Sequence, residues 1–454
     1  MTGFSIRLPV PLRELCSCLH GLLPIFSVAF LLLAVTGCGD PSNPAGDAGN
    51  GVTTITYWSA PNPQEYAMAQ NLVAEWNRDN PHIQVKLQAL PAGQSSEEVL
   101  LSAMVAGTTP DVCSNIWPGV TNDFIRAKGL YPLDRFPDFE QVMTERVPED
   151  IIESVRSADG HIYQIPWKTN PIMVQYNVTM FEQAGIHEFP RTYSEFLSAA
   201  AKLTRDNDGD GRKDQWMGFR DIRPIWWQRY YDYYTSYITA SGGKTFFEKG
   251  ELAIDRKASD QVFAFYQKLY ENSYFPRSSL QGNAFLYDVI ATEFTGPWNI
   301  AYLENNAPAT LRYDFAPVPV PDDYQGDVYS YGDHKNIVIF STTKHPEESW
   351  EFVKYLTTKE ADYKLLSFAR QIPVRKNLLE DPEFEAFFRE NPMLARFAEQ
   401  AAYTRGVDSI RDLKEILDAV ARYYEKSSVY GAMPPGQATE EMIEAIRVIR
   451  EWNH

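Results

Sequence analysis

The segment Asp206-Asn207-Asp208-Gly209-Asp210-Gly211-Arg212-Lys213-Asp214 sets carboxylates at relative positions one, three, five and nine, with glycine at six. Hard oxygen donors at this spacing can wrap one Ca²⁺, and the backbone carbonyl of Arg212 falls at position seven. Position twelve, where a bidentate glutamate closes such loops, is Met217. The expectation is a structural Ca²⁺ on Asp206, Asp208, Asp210, Arg212 and Asp214, with one ligand from elsewhere; the alternative is a plain acidic turn. Catalytic spacings are sparse. Neither His-Glu-x-x-His nor Gly-x-Ser-x-Gly occurs. Gly243-Lys244-Thr245 imitates the end of a phosphate loop, but the earlier glycine it requires falls on Ile238.

A second group of residues offers binding surface. Trp and Tyr supply large rigid contact area at little entropic cost. Trp58 ends a predicted strand, and Trp117 lies in a Ser-Asn-Ile-Trp-Pro-Gly loop with Asn115. Trp167-Lys168 follows Pro166, and Trp298-Asn299 follows Gly296-Pro297. Trp117 and Trp298 sit among Gly, Pro and Asn, which points to loops facing a ligand. Trp58 and Trp167 fit a binding surface and a core equally. Trp76, Trp216 and Trp350 have the spacing of core residues. Trp226-Trp227 opens a strongly aromatic helix, so one of the pair, taken as Trp226, is expected to face the site.

The elements that must hold these residues read as alternating strand and helix. Val52 to Trp58 alternates as a strand. Asn62 can cap the next helix, Pro63 suits its first turn, and Ala69, Leu72, Val73 and Trp76 repeat at helical spacing. Ile83, Val85 and Leu87 alternate again, which predicts a right-handed crossover between parallel strands. A helix over 96–106 and a strand at 111–113 follow. Further helices are predicted over 193–204 and 258–271, and strands over 313–320 and 336–340. No fixed-period repeat appears. The fold class is α/β.

The N-terminus reads as an export signal. Arg7 and Arg13 precede an apolar stretch from Leu22 to Val35, which ends in Val35-Thr36-Gly37-Cys38. The stretch is short for a spanning helix. Small residues ahead of Cys38 predict cleavage after residue 37 and lipid attachment to Cys38. Residues 38–51 are a polar, Gly- and Pro-containing tether. Cys16 and Cys18 lie in the signal, so the mature chain keeps only Cys113 besides the lipidated residue. Cys113 reads as a small buried hydrophobe, with no internal disulfide. The 454-residue chain has a formal charge of −18. Without residues 1–37, 40 basic and 59 acidic side chains remain. That excess disfavours nucleic-acid binding, which needs cations to neutralise phosphates.

Several segments resemble the bacterial extracellular solute-binding proteins, the large family that includes maltodextrin-binding proteins. They are Asp159 to Trp167 followed by Val174 to Asn177, Met180 to Ile186, and Ser241-Gly242-Gly243-Lys244. Gly296-Pro297-Trp298, Ile337 to Phe340, Pro346 to Phe352 and Ile372-Pro373-Val374-Arg375 complete the series, which spans about residues 52–450. The resemblance implies a two-lobed periplasmic-binding-protein-like fold. Each lobe is an open mixed sheet flanked by helices, and ligand is held in the cleft between them. Crossings are expected near 166–172, 314–318 and 341–345. Lobe one is then 52–167 plus 317–342, and lobe two 171–314 plus 345–454.

The family's function implies a monomeric, exported, lipid-anchored protein without enzymatic activity. It would deliver a small polar ligand, a mono- or oligosaccharide, to the membrane subunits of an ABC importer. A sugar needs aromatic plates for its C–H faces and polar groups for its hydroxyls. Polar candidates are Asn62, Asn115, Lys168, Asn299 and Asp333, the last in Tyr331-Gly332-Asp333-His334. Asn62 falls where the family puts a ligand-contacting residue, and it also fits a helix cap. Asp333 fits a solvated turn as well. Lys168, Arg223 and Arg229 leave an acidic or phosphorylated ligand open. The other readings are a secreted glycan-acting hydrolase, since two facing carboxylates suffice for that chemistry, and a ligand-sensing lipoprotein that reports to a membrane receptor.

Overall fold

The computed structural model describes residues 51–91, 96–408 and 410–452. Strands β1 (Thr53–Ser59), β2 (Ile83–Ala89), β3 (Val112–Ile116) and β4 (Ile165–Lys168) belong to a first sheet. Strands β5 (Met173–Asn177), β6 (Trp216–Gly218), β7 (Ile290–Thr295) and β8 (Tyr313–Ala316) form a second. The chain then returns to the first sheet as β9 (Lys335–Ile339). The strand order is β2-β1-β3-β9-β4 in one and β8-β5-β7-β6 in the other. β1 is parallel to β2 and β3, whereas β9 is antiparallel to both neighbours. Both sheets are therefore mixed, and each carries helices.

Alternation explains β1: Ile55, Tyr57 and Ser59 are buried and the residues between them are not. Helix α1 (Pro63–Asp79) starts where the Asn62 side chain accepts from the Gln64 and Glu65 amides, and Pro63 occupies its first turn. Its buried stripe of Met68, Ala69, Leu72, Val73 and Trp76 lies in the core of lobe one. Helix α2 (Ser96–Ala106) follows β2. In lobe two, α3 (Tyr193–Leu203) opens on a capping box between Thr192 and Glu195. Helices α4 (Tyr233–Ala240), α5 (Arg256–Glu271) and α6 (Trp298–Asn306) follow. The core of lobe two joins Val174, Phe196, Tyr233, Phe263 and Tyr266 with residues from the C-terminal helices.

Helices α7 (Pro346–Leu356) and α8 (Lys359–Ala369) correct the division expected from sequence. They were assigned to lobe two within 345–454, yet Trp350, Phe352, Leu356 and Leu365 share a core with Ile55, Tyr57 and Trp76. The Phe352 ring meets Tyr57 edge-on at 5.3 Å, and the Trp350 ring stacks on Phe136 at 4.9 Å. Each such buried side chain contributes about 1.5–3 kcal/mol, and all of them are buried in the core of lobe one. Conversely, Val318 and Tyr331, expected in lobe one, are buried in the lobe-two core. Helices α9 (Leu413–Tyr424) and α10 (Pro435–Trp452) complete lobe two.

The first crossing falls at 168–172, within the predicted 166–172. The second lies at 332–334 rather than 314–318, because β8 pairs with β5 and the chain reaches the first sheet only at β9. The third lies at 370–375 rather than 341–345, because α7 and α8 stay on lobe one. The three crossings are laced side by side. The Thr169 amide donates to the Ile372 carbonyl, Val374 to Trp167, Ile172 to Tyr331, and Asp333 to Asn170, each at 2.9 Å. The Asn170 side chain adds a bond to Gln371 Oε1 at 3.0 Å.

Candidate functional site

A cavity of about 440 Å³ opens between the lobes, lined by Ser96, Glu97, Trp117, Trp226, Trp227, Tyr230, Tyr231, Tyr331, Asp333 and Lys335. That volume lies within the range of about 300–1,000 Å³ occupied by small-molecule sites. Ser96 and Glu97 open α2, and Lys335 opens β9. Trp117 follows β3, while Tyr331 immediately precedes the second crossing and Asp333 lies within it. The four consecutive-pair aromatics, Trp226-Trp227 and Tyr230-Tyr231, come from lobe two.

Local sequence sets Trp117. Asn115 adopts φ +68, a left-handed conformation that asparagine tolerates. The register of β9 against β3 slips at this point, as it does when an extra residue re-aims a strand end. Two residues beyond Trp117, a Cβ on Gly119 would fall 2.2 Å from the indole ring, so only glycine leaves the ring its place. The Trp117 ring then meets Trp226 at 5.5 Å and Tyr230 edge-on at 5.3 Å. Tyr230 stacks on Tyr331 at 4.9 Å.

Polar groups thread through the aromatic wall. The Trp117 indole N–H donates to the Tyr331 hydroxyl at 3.2 Å, and that hydroxyl donates to Asp333 Oδ1 at 3.3 Å. Lys335 Nζ reaches the same carboxylate oxygen at 2.7 Å. Burial pushes the Tyr230, Tyr231 and Tyr331 phenols well above their ordinary range, so all three stay protonated donors. Burial likewise pushes His334, beside Asp333, below its ordinary value. The result is a set of aromatic side chains around the Asp333–Lys335 pair, with Glu97 as a second carboxylate on the cavity. Such a site can cover apolar ring faces and accept or donate hydrogen bonds at their edges.

Of the residues singled out from sequence, Trp117, Trp226, Tyr331 and Asp333 line this cavity. The others lie elsewhere. Trp58, partly buried, packs against the cluster around Leu90 and Cys113 and does not line the cavity. Trp167 is 2% exposed in the lobe-one core. Lys168, also buried, pairs with buried Glu65 at 2.6 Å beside the hinge, where Gln371 donates to the same Glu65 oxygen at 2.8 Å. Its charge is spent inside the protein. Asn62 acts as the helix cap. Asn115 shapes the strand end, and the Asn299 side chain donates to buried Gln175 at 2.6 Å. Trp298 supports the wall from behind, edge-on to Tyr231 at 6.2 Å, over Gly296, where a Cβ would fall 2.1 Å from its ring. Cys113 is fully buried, in keeping with the reading as a small hydrophobe.

Sequence reasoning missed Trp227, Tyr230, Tyr231, Lys335 and the start of α2. Trp226 and Trp227 both face the cavity because 226–230 is a 3-10 turn rather than α-helix, and Trp227 stands 43% exposed at the rim. The signal available was the density of aromatics in 226–237. Its tyrosines split between cavity and core, since Tyr233, Tyr234 and Tyr237 pack inside lobe two.

In the turn between α3 and β6, Asp206, Asp208 and Asp210 bring carboxylate oxygens within 4.8 Å of one another. Asp206 accepts from the Gly209 and Gly211 amides, and Asp214 from the Asn207 amide. Met217, at the twelfth position, is fully buried on β6 and supplies no oxygen. Cys38, the signal and residues 38–50 of the tether lie outside the described residues. Among the described residues no helix is long and apolar enough to cross a membrane.

Comparison with known proteins gives one consistent answer. A family model described as bacterial extracellular solute-binding protein matches residues 60–363. A putative binding protein of Brucella abortus (strain 2308) is 24% identical over 379 residues, 82% of this chain and 86% of that protein. The arabinooligosaccharide-binding protein of Halalkalibacterium halodurans is 22% identical, across 78% of this chain and 79% of its own. The structure of the GacH receptor of Streptomyces glaucescens GLA.O, determined unliganded and with acarbose, has the same fold. It gives a TM-score of 0.72 at 22% identity, covering 88% of this chain and 98% of that one.

Proposed function

The chain belongs to the bacterial extracellular solute-binding protein family, and from that premise we propose that it captures a neutral carbohydrate and delivers it to an ABC importer. The observation that carries this reading is the interlobe cavity, walled by Trp117, Trp226, Trp227, Tyr230, Tyr231 and Tyr331 around Asp333 and Lys335. Aromatic plates cover the C–H faces of a sugar ring, and the carboxylate accepts from its hydroxyls. Lys335 is matched by Asp333 at 2.7 Å, which leaves little uncompensated positive charge to select an anion. A relative named for an arabinooligosaccharide and a structural neighbour determined with acarbose support the same ligand class.

Capture works by rigid-body closure about the three laced crossings. Asp333 stands on one of them, so a ligand bonded to its carboxylate holds the hinge as well as the cleft. The protein acts as a carrier and leaves its ligand chemically unchanged. It is exported, anchored through lipid on Cys38, and monomeric, with the importer's membrane subunits as its partners.

The test is a thermal-shift screen of the mature protein against neutral, acidic and phosphorylated sugars, followed by calorimetry and analysis of the recovered ligand. A ligand that binds only the folded state must raise Tm. Saturable binding of a neutral sugar, recovered intact, is the expected result. Selective binding of phosphorylated sugars, or turnover of the ligand, would overturn the reading.

We also propose that the 206–214 loop holds a structural Ca²⁺. The supporting observation is that Asp206, Asp208 and Asp210, three of the expected donors, converge as hard oxygen ligands. A bound ion would pin the turn between α3 and β6 and take no part in ligand chemistry. Removing Ca²⁺ with EGTA should lower Tm, and CaCl₂ but not MgCl₂ should restore it. An unchanged Tm would remove the ion from the account.

A further inference from the structure

The lobes hold each other through protein groups as well as through the crossings. Trp117, from the loop after β3 in lobe one, packs in the core of lobe two against Trp226 and Tyr230. Val120 packs against clusters of both lobes. Glu98 on α2 and Lys414 on α9 meet at 2.8 Å. Leu100 buries α2 in lobe one beside Cys113 and Phe340, whereas Leu413 and Leu417 bury α9 in lobe two. The ion pair therefore spans the two lobes. Both helices line one space of about 310 Å³, α2 through Glu98 and Leu101, α9 through Leu413 and Lys414.

The surroundings of the pair give it weight. The Lys414 and Glu98 side chains are 49% and 58% exposed, so water screens their attraction. The faces that they join are acidic. Glu97 stands next to Glu98 on lobe one, and Glu415 follows Lys414 on lobe two. Asp418, one turn along α9, also acts on the Lys414 ammonium. Without that ammonium, carboxylates of one lobe would face carboxylates of the other, and like charges repel. Lys414 replaces the repulsion with an attraction. Neither residue belongs to a crossing, so rotation of two rigid lobes apart separates the partners.

We infer that Glu98 and Lys414 form an ionic latch that biases the lobes toward the closed arrangement before any ligand contributes. A ligand then shifts a balance that the protein has already tilted. The latch rests on the closing motion proposed above and not on the identity of the ligand.

The experiment is single-molecule energy transfer between dyes on Thr108→Cys of lobe one and Ala432→Cys of lobe two, both exposed positions, in residues 39–454 without added ligand. Cys113, the one native cysteine of that stretch, is buried and takes no dye. The latch is compared in its native form, in Glu98→Gln, in Lys414→Gln and in the exchanged pair Glu98→Lys/Lys414→Glu. Lys257→Gln, which breaks a comparably exposed pair with Asp323 inside lobe two, is the control. Circular dichroism and Tm check each fold. The closed-to-open ratio should fall about two- to fivefold in each single latch variant. It should return toward the native value in the exchanged pair, because residues in contact are coupled, and stay unchanged in Lys257→Gln. Two populations in the same ratio in every protein, or a shift as large in Lys257→Gln as in the latch variants, would overturn the latch and leave lobe closure standing. One distance in every protein, unmoved by added maltose, maltotriose or arabinotriose, would overturn closure as well.

Discussion

The Trp117 indole N–H donates to the Tyr331 hydroxyl at 3.2 Å, joining a loop of lobe one to the residue that immediately precedes the second crossing. The same hydroxyl continues to Asp333, and Asp333 to Lys335. A wall of the ligand cavity is thereby bonded to the hinge. Displacing Trp117 should disturb both the surface offered to a sugar and the resting angle of the lobes.

Gly119→Ala tests that link without touching a polar group. The new Cβ would fall 2.2 Å from the indole ring. Overpacking of this kind costs about 1–3 kcal/mol, and the ring must leave its place to avoid it. Sugar affinity should fall at least tenfold, with a shift in tryptophan fluorescence. Unchanged affinity by calorimetry would mean that the position of Trp117 does not matter to binding.

Asp333→Asn removes the negative charge facing Lys335 and weakens acceptance from sugar hydroxyls. Affinity for the neutral ligand should drop about tenfold, or about 1.4 kcal/mol. Acidic sugars should gain relative to neutral ones, because Lys335 is then unmatched. Equal losses for both classes would argue that Asp333 acts only on the hinge.

The buried Glu65–Lys168 pair is a structural element, and its loss should act on stability before binding. Lys168→Met leaves the Glu65 carboxylate buried and unpaired, at a cost of about 3–5 kcal/mol. The double variant Glu65→Leu/Lys168→Met should recover most of it, since neither charge is then stranded. Urea denaturation midpoints for the three variants check this. A double variant no better than the single one would show that the hinge needs the pair itself.

Acid should loosen lobe one through Glu75. The hydrogen bond from Lys364 holds its carboxyl below the ordinary value of 4.5, and Tyr355 adds a second donor at 3.1 Å. A carboxylate depressed in the folded state stabilises above its unfolded pKa, and that stability is lost as pH falls through the folded value. The Tm of wild type should therefore fall as pH drops below about 4.5. Glu75→Gln should be less stable at pH 7 and show a shallower decline in acid. Parallel curves for the two proteins would exclude Glu75 as a contributor.

Much of this was legible in the sequence because it depends on neighbours along the chain. The period of two in 53–59, the period near 3.6 in 63–79 and the Asn62-Pro63 helix start are local patterns, and each element formed where its pattern lay. The carboxylate spacing of 206–214 was also local, and the turn does gather Asp206, Asp208 and Asp210. The order of family-like segments gave the two mixed sheets.

Tertiary structure decided what depends on distant partners. A tryptophan is equally at home in a core and against a sugar, so only packing could separate Trp117 and Trp226, which line the cleft, from Trp58 and Trp167, which pack beside their sheet. Lys168 carried the chemistry of a ligand contact until Glu65, 103 residues away, took its charge. The crossings moved from 314–318 and 341–345 to 332–334 and 370–375 because β9 pairs within the first sheet and Trp350 and Phe352 pack in the core of lobe one. Hydrophobic burial has no preferred direction along the chain. Periodicity therefore states that a face will be covered, and only the folded arrangement determines by which lobe.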